Sequence, residues 1–347
     1  MKFTLGSLSA AAFLTLTSVT GAFAGGIAGA PSPFDKGGVR VALISYISAG
    51  DFFQSYQAGA EAQAKALGID LRVFPGRQNA AEQRDQIQQA VNLGVNAIII
   101  DHGQPEALKD VAQQALDAGV KVIAFDVDLD NPRIPQVEQS DHELARAALE
   151  QLSADNGKEF SAAYVYVAGF APLDRRNEVW EKFKADNPGV AEKARFGAVN
   201  DTTAASTADQ AKAALRANPD ISVVFAPYDE FARGVKLAAV DLGIAEKLKI
   251  YSADVSTADI QEITEEGSPW QATVATNPAV VGAASVRAAA LEIAGSEVPR
   301  RILVKPVLLT RKALRDKGVK TVEELSRKIP EFGATDAVLA DWIPLAR

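Results

Sequence analysis

Residues 39–53 read VRVALISYISAGDFF. The run from Val39 to Ile44 is almost continuously apolar, as a parallel strand covered on both faces requires. It gives way to a polar turn, Ser45 to Gly50, and Asp51-Phe52-Phe53 then opens a helical pattern. Tyr56, Ala60, Ala64 and Leu67 recur at helical spacing, and Gly68 stops them. The turn is too poor in glycine to cradle a pyrophosphate, which excludes a dinucleotide at this corner. A strand-turn-helix corner of this composition can instead form one wall of a cleft, offering aromatic faces and backbone donors to a small polar ligand.

The same rhythm runs outward from that corner. Leu71–Phe74, Val95–Ile100 and Val120–Phe125 read as strands, separated by helical stripes that end at Gly94 and Gly119. After a proline- and aspartate-rich interruption from Val127 to Asp141, a second series of strands and helices begins at Ala162 and continues to Ala275. Alternation of this kind implies parallel sheets with right-handed crossovers. The expectation is an α/β protein: two doubly wound parallel-sheet domains with a cleft between them, the chain crossing first within Val127 to Asp141 and again at Asn277-Pro278. The N-terminal domain is expected over residues 39–135 and 277–299, and the C-terminal domain over 136–276 and 300–318. Residues 319–347 form a C-terminal extension, read as an appended helix and strap.

The N-terminus reads as a targeting segment. Lys2 supplies a positive start, Phe3 to Thr20 is largely apolar, and Ala22-Phe23-Ala24 has the small-residue form that precedes cleavage. Residues 1–24 are therefore expected to be a cleaved signal peptide and 25–38 a flexible leader, with the mature chain outside the cytoplasmic membrane. The chain has 347 residues, no Cys, two His and a net charge of −8. Disulfides and thiol catalysis are excluded, a zinc site is disfavoured, and the acidic balance argues against nucleic acid as a partner.

In open parallel sheets, ligands sit beyond the carboxyl ends of the strands. Those ends carry Ser45 to Phe53, Asp101-His102, Asp126-Val127-Asp128, Asp174-Arg175-Arg176, Asn200-Asp201, Tyr228-Asp229, Asp254 and Thr276-Asn277. Carboxylates accept from adjacent hydroxyls, guanidinium groups donate a fixed fork, and flat rings can carry a sugar face. Competing readings stand beside these. Asp101 could be only a helix cap, and one of Phe52 and Phe53 could turn into the core. Trp180 suits core packing as well as ligand contact, and His102 suits a hydrogen-bonded structural role as well as a ligand role. There is no nucleophile elbow and no phosphate loop, so a receptor is expected rather than an enzyme, with no cofactor and no metal.

At these residues the chain resembles the periplasmic sugar-binding proteins of ABC importers, the group that includes the ribose receptor and shares its fold with the ligand domain of the lac repressor. The resemblance rests on VALISYISAGDFFQSYQAGAEAQAKALG, AIIIDHGQPEAL, VIAFDVD, VVFAPYDEFARGVKLAAVDLG and ATVATNPAVVGAASVRAA, and covers about Val39 to Leu309. It implies two α/β domains joined by a three-segment hinge, in a periplasmic, monomeric receptor whose lobes close on a monosaccharide or small polyol. Its partners would be a membrane permease and, in some branches, a chemoreceptor. Residue by residue, Phe52 and Phe53 match the pair that flanks the sugar, Asp126 and Asp254 match hydroxyl acceptors, and Arg176 matches the Arg before a second-domain helix. Asp101 and Tyr228 stand where the family often has Asn, and Thr276 where Gln is common. Val127 replaces a frequent Arg, and these departures point away from ribose itself. Asp128 joins the set through Asp126-Val127-Asp128, which is similar to the autoinducer-receptor branch, whose ligand is a furanose-like polyol.

Overall fold

The computed structural model describes residues 26–334 and 337–346. The expected signal peptide lies outside the described residues. Two six-stranded sheets form the frame, each the centre of one lobe. The first takes the order β11-β5-β4-β3-β1-β2 and the second β12-β10-β9-β8-β6-β7. The first sheet comprises β1 (Arg40–Ser45), β2 (Asp70–Phe74), β3 (Ala97–Asp101), β4 (Lys121–Phe125), β5 (Gln136–Glu138) and β11 (Arg301–Leu303). The second comprises β6 (Phe160–Val165), β7 (Val190–Phe196), β8 (Val223–Ala226), β9 (Lys249–Ala253), β10 (Trp270–Ala275) and β12 (Val307–Thr310). Every pairing is parallel except that of β12 with β10.

Helices cover both faces of each sheet, which is why the strands are apolar throughout. Val41 to Ile44 in β1 are fully buried. On the first sheet, α1 (Asp51–Ala66) and α9 (Pro278–Ile293) cover one face. The other face is covered by α2 (Ala80–Asn92) and α3 (Pro105–Asp117). On the second sheet, α4 (Asp141–Asn156) and α5 (Ala171–Asp186) cover one face. The opposite face carries α6 (Thr203–Ala217), α7 (Asp229–Asp241) and α8 (Thr257–Thr264). The helices α1 and α9 touch backbone to backbone. A Cβ on Gly59 would strike the carbonyl of Ala279, and one on Gly282 that of Tyr56, so both positions require glycine.

Three crossings join the lobes: Gln139–Ser140, Thr276–Asn277, and residues 304–306. Two expected boundaries need correction. Residues 136–138 pair with β4 and residues 301–303 pair with 136–138 at the edge of the first sheet, so the first and third crossings fall later than expected. Both strands are short and charged, and they follow proline- or arginine-bearing stretches that read as linker. The expected flexible leader is also corrected, because Phe34 is buried to 1 % exposure and its ring lies 4.9 Å from that of Trp342. A lone aromatic in a Gly-, Pro- and Ala-rich stretch supplies that anchor. After β12 come α10 (Arg311–Asp316), which closes the C-terminal lobe, and then, in the extension, α11 (Val322–Lys328) and α12 (Pro330–Gly333). Leu314, Leu325 and Phe332 join the second core, and Ile343 joins the first.

Candidate ligand-binding cleft

Three strand ends facing the gap share one device. One residue past β3, β4 and β9, the backbone turns left-handed at His102 (φ 56°), Asp126 (φ 49°) and Asp254 (φ 70°). Short polar side chains and His tolerate that conformation best. Each residue still donates its N–H to the neighbouring strand: His102 to Phe125, Asp126 to Val137 and Asp254 to Val274, at 2.8, 3.1 and 3.0 Å. The ladder thus runs one residue beyond each strand while the chain leaves the sheet edge. Non-glycine residues in this region are strained, and such strain gathers at functional sites.

Between the lobes lies a cleft of about 460 Å³, part of it open to solvent. The first lobe contributes Ile47, Phe52, Phe53 and His102, and Gln139 enters from the hinge. The second lobe contributes Arg176, Tyr228 and Asp254, together with an apolar group of Phe170, Pro172, Leu173 and Val199. Phe52 and Phe53 stand edge to face at 5.3 Å, and Phe53 in turn meets the His102 ring at 5.2 Å. The lobes are shut over the space: Tyr46 and Phe170 approach to 6.3 Å, and Gln78 donates to Asp201 at 3.1 Å.

A buried network of charges supports the polar wall. Arg176 donates to Asp141 at 2.9 Å, to Asp254 at 2.9 Å and to the Pro227 carbonyl at 2.7 Å. Arg175 donates to Asp141 at 2.7 Å and to Asp126 at 3.2 Å. Burial raises the Asp141 carboxyl, but Arg176 and Arg175 outweigh burial and hold it below its usual range. Asp126 goes the other way, pushed up to about 7 by burial and by the charge of Asp141. Burial also lifts Asp254 above its usual range, with Arg176 opposing. His102 bonds Asp101 at 2.7 Å; burial would lower its imidazole, yet Asp101 holds it above the usual value.

The periplasmic binding protein domain model matches residues 41–297, most of both lobes. The chain belongs to that family. Among relatives of this periplasmic binding protein, the ribose import binding protein of Escherichia coli is 24 % identical over 277 residues, 78 % of this chain and 90 % of the relative. Among solved structures, the 5-methylthioribose transporter solute binding protein of Thermotoga lettingae, in complex with 5-methylthioribose, is 38 % identical with a TM-score of 0.85. That match covers 88 % of this chain and 97 % of the other. A sugar ABC transporter protein of Yersinia enterocolitica is 26 % identical with a TM-score of 0.86, covering 91 % of this chain and 97 % of the other.

Among the residues expected at the site of this binding protein, Phe52, Phe53, Arg176, Tyr228 and Asp254 line the cleft. Both phenylalanines do so, because Phe52 stands over Phe125 while Phe53 leans on His102. Asp101, Asp126 and Thr276 sit one layer behind the lining: Asp101 on His102, Asp126 on Arg175 and Gln139, and Thr276 on Gln139. Asp101 is not a helix cap, since the cap of α3 is Gln104. Asp128 is a correction. It is exposed, accepts from the Asp130 N–H at 3.1 Å and belongs to a surface hollow with Asn131 and Arg300. The left-handed turn at Asp126 takes the chain off the sheet edge, and Asp128 beyond it faces solvent. Trp180 is core, fully buried, with its indole N–H on Glu192 and its ring against Tyr164. Sequence reasoning missed Gln139, Phe170, Pro172, Leu173 and Val199, while Ile47 fell within the Ser45 to Phe53 strand end without being singled out. Phe170 and Val199 lie on connecting segments, where an apolar residue carries no periodic signal, and Pro172 and Leu173 lie in the first turn of α5.

Proposed function

We propose that the chain is the solute receptor of an ABC sugar importer, and that its solute is a pentose or similar polyol bearing an apolar substituent. The observation that carries this is the division of the cleft into two ends. His102, Gln139, Arg176 and Asp254 offer donors and acceptors for ring hydroxyls, between the faces of Phe52, Phe53 and Tyr228. Phe170, Pro172, Leu173 and Val199 offer nothing to a hydroxyl, so a bare hydroxymethyl group would lose its water there without a partner. The relatives support both halves of the reading. One is a ribose import protein, and the 38 % identical one holds a pentose with a methylthio group.

The solute is held and handed on chemically unchanged. It contacts both lobes only when they are shut, so binding favours the closed state about the three crossings. The closed form then presents the solute to a membrane permease, and the N-terminal segment places the receptor in the periplasm. A micromolar site of this kind represents about 8 kcal/mol. Calorimetric titration with ribose, 5-deoxyribose and 5-methylthioribose tests the reading. The expected order is 5-methylthioribose tightest, by about tenfold or more over ribose, since a methylene-sized apolar difference is worth roughly 1–3 kcal/mol. Ribose binding as tightly as 5-methylthioribose would overturn it.

A further inference from the structure

We infer that Arg175 is an interlobe latch: it makes no contact with the solute and holds the closed lobes together through Asp126 and Glu138. Arg175 and Arg176 are neighbours on α5, yet their bonds divide. Arg176 stays within its own lobe, on Asp141, Asp254 and the Pro227 carbonyl. Arg175 crosses the gap, reaching Asp126 at 3.2 Å and Glu138 at 3.7 Å, while keeping Asp141 at 2.7 Å on its own side. Among the described residues, Arg175 stands at one end of both ion pairs that join the lobes. The groups are dry, with side-chain exposures of 10 % for Arg175, 0 % for Asp126 and 2 % for Glu138. Arg175 is absent from the cleft lining, so its bonds report closure and not the solute.

The surroundings make the latch reversible. When the lobes part, Arg175 retains Asp141, and Glu138 retains Arg301 at 2.7 Å. Asp126 retains the Gln139 amide at 3.4 Å and gains water. No charge is orphaned by opening, whereas truncating Arg175 in the closed state leaves Asp126 buried without its cation, a costly arrangement. Arg175 is therefore a positioning residue, acting on the open–closed balance. The inference rests on the reading of the chain as a receptor that opens and closes, but not on which solute it takes.

The chain has no Cys, so Gln54→Cys in the first lobe and Asp209→Cys in the second, both exposed, admit a single pair of spin labels. Interlobe distances would be measured in the wild type, Arg175→Met and Arg175→Lys, with no solute and with 5-methylthioribose or ribose, alongside stopped-flow dissociation. Arg175→Met is expected to shift toward longer distances and to release the probe at least tenfold faster. Its order of preference among probes should be unchanged, and Arg175→Lys should recover part of the closed population. Wild-type distances and release rates in Arg175→Met would overturn the latch. Should Arg175→Met fail to fold, Asp126→Asn tests the same pair from the other lobe, and an unchanged distance distribution there overturns it equally. If neither probe closes the wild type, the proposed solute fails instead. The solute-free distributions then decide the latch, which requires a smaller closed fraction in the variant than in the wild type.

Discussion

The hydroxyl of Thr276 donates to Gln139 Oε1 at 2.7 Å, tying the second crossing between the lobes to the first. Both groups are buried, and Gln139 also reaches Asp126 at 3.4 Å while lining the cleft. Thr276→Val keeps the shape and removes the donor, leaving a buried carbonyl oxygen unpaired. The expected cost is about 1–3 kcal/mol of stability, read by urea unfolding. Solute affinity should fall with it, because Gln139 is no longer held. Unchanged stability and affinity would show that the bond does not fix the hinge.

Arg176 and Asp254 form the polar floor of the cleft, at 2 % and 4 % exposure. Removing one partner of a buried pair costs roughly 3–5 kcal/mol because the other charge is left without compensation. Asp254→Ala should therefore lower the melting temperature markedly and abolish calorimetric binding. Asp254→Asn keeps an acceptor for Arg176 and should retain more of both. Equal behaviour of the two variants would argue that the charge, and not the hydrogen bond, is what the site needs.

Much of this was legible in the chain. The apolar runs at Val39–Ile44, Ala162–Val167 and Ile221–Ala226 mark buried parallel strands, and the carboxyl ends of the strands in the two series point to Phe52, Phe53, Arg176, Tyr228 and Asp254. What could not be read is depth. Asp101 and Asp126 occupy strand ends just as Asp254 does, yet the side chains of His102 and Arg175 stand on them. Only packing decides which carboxylate faces the gap. The apolar end was hidden for a related reason. Phe170, Leu173 and Val199 come together from α5 with its leading turn and from the loop after β7, a proximity that exists only once the second sheet has formed.

Leu173 and Val199 allow selectivity to be separated from affinity. Leu173→Ser replaces an apolar wall with a hydroxyl at a position the structure leaves 5 % exposed. The ratio of 5-methylthioribose to ribose affinity should fall by about tenfold, as expected when one apolar contact is exchanged for a polar one. An equal loss for both sugars would mean that the substituent lies elsewhere.

Away from the cleft, the carboxyls of Asp229 and Asp259 are buried together in the second lobe, at 4 % and 0 % exposure. Burial, then the charge of Asp259, keeps Asp229 well above its usual range, and burial pushes Asp259 up to about 6. Carboxyls raised above an unfolded value of about 3.9 bind protons more tightly in the native chain. Their contribution is fully present below that value and is lost as pH rises through about 6 and beyond. Asp229→Asn removes the conflict, so its gain in melting temperature over the wild type should be larger at pH 8 than at pH 5. Parallel curves would contradict the pairing.

A crystal structure of the chain grown with 5-methylthioribose examines the proposed division of the cleft most directly. The ring should lie between Phe52 and Phe53 with its hydroxyls on Arg176 and Asp254, and the methylthio group should sit against Leu173 and Val199. A sugar held in the reverse sense, or bound outside the gap, would contradict it.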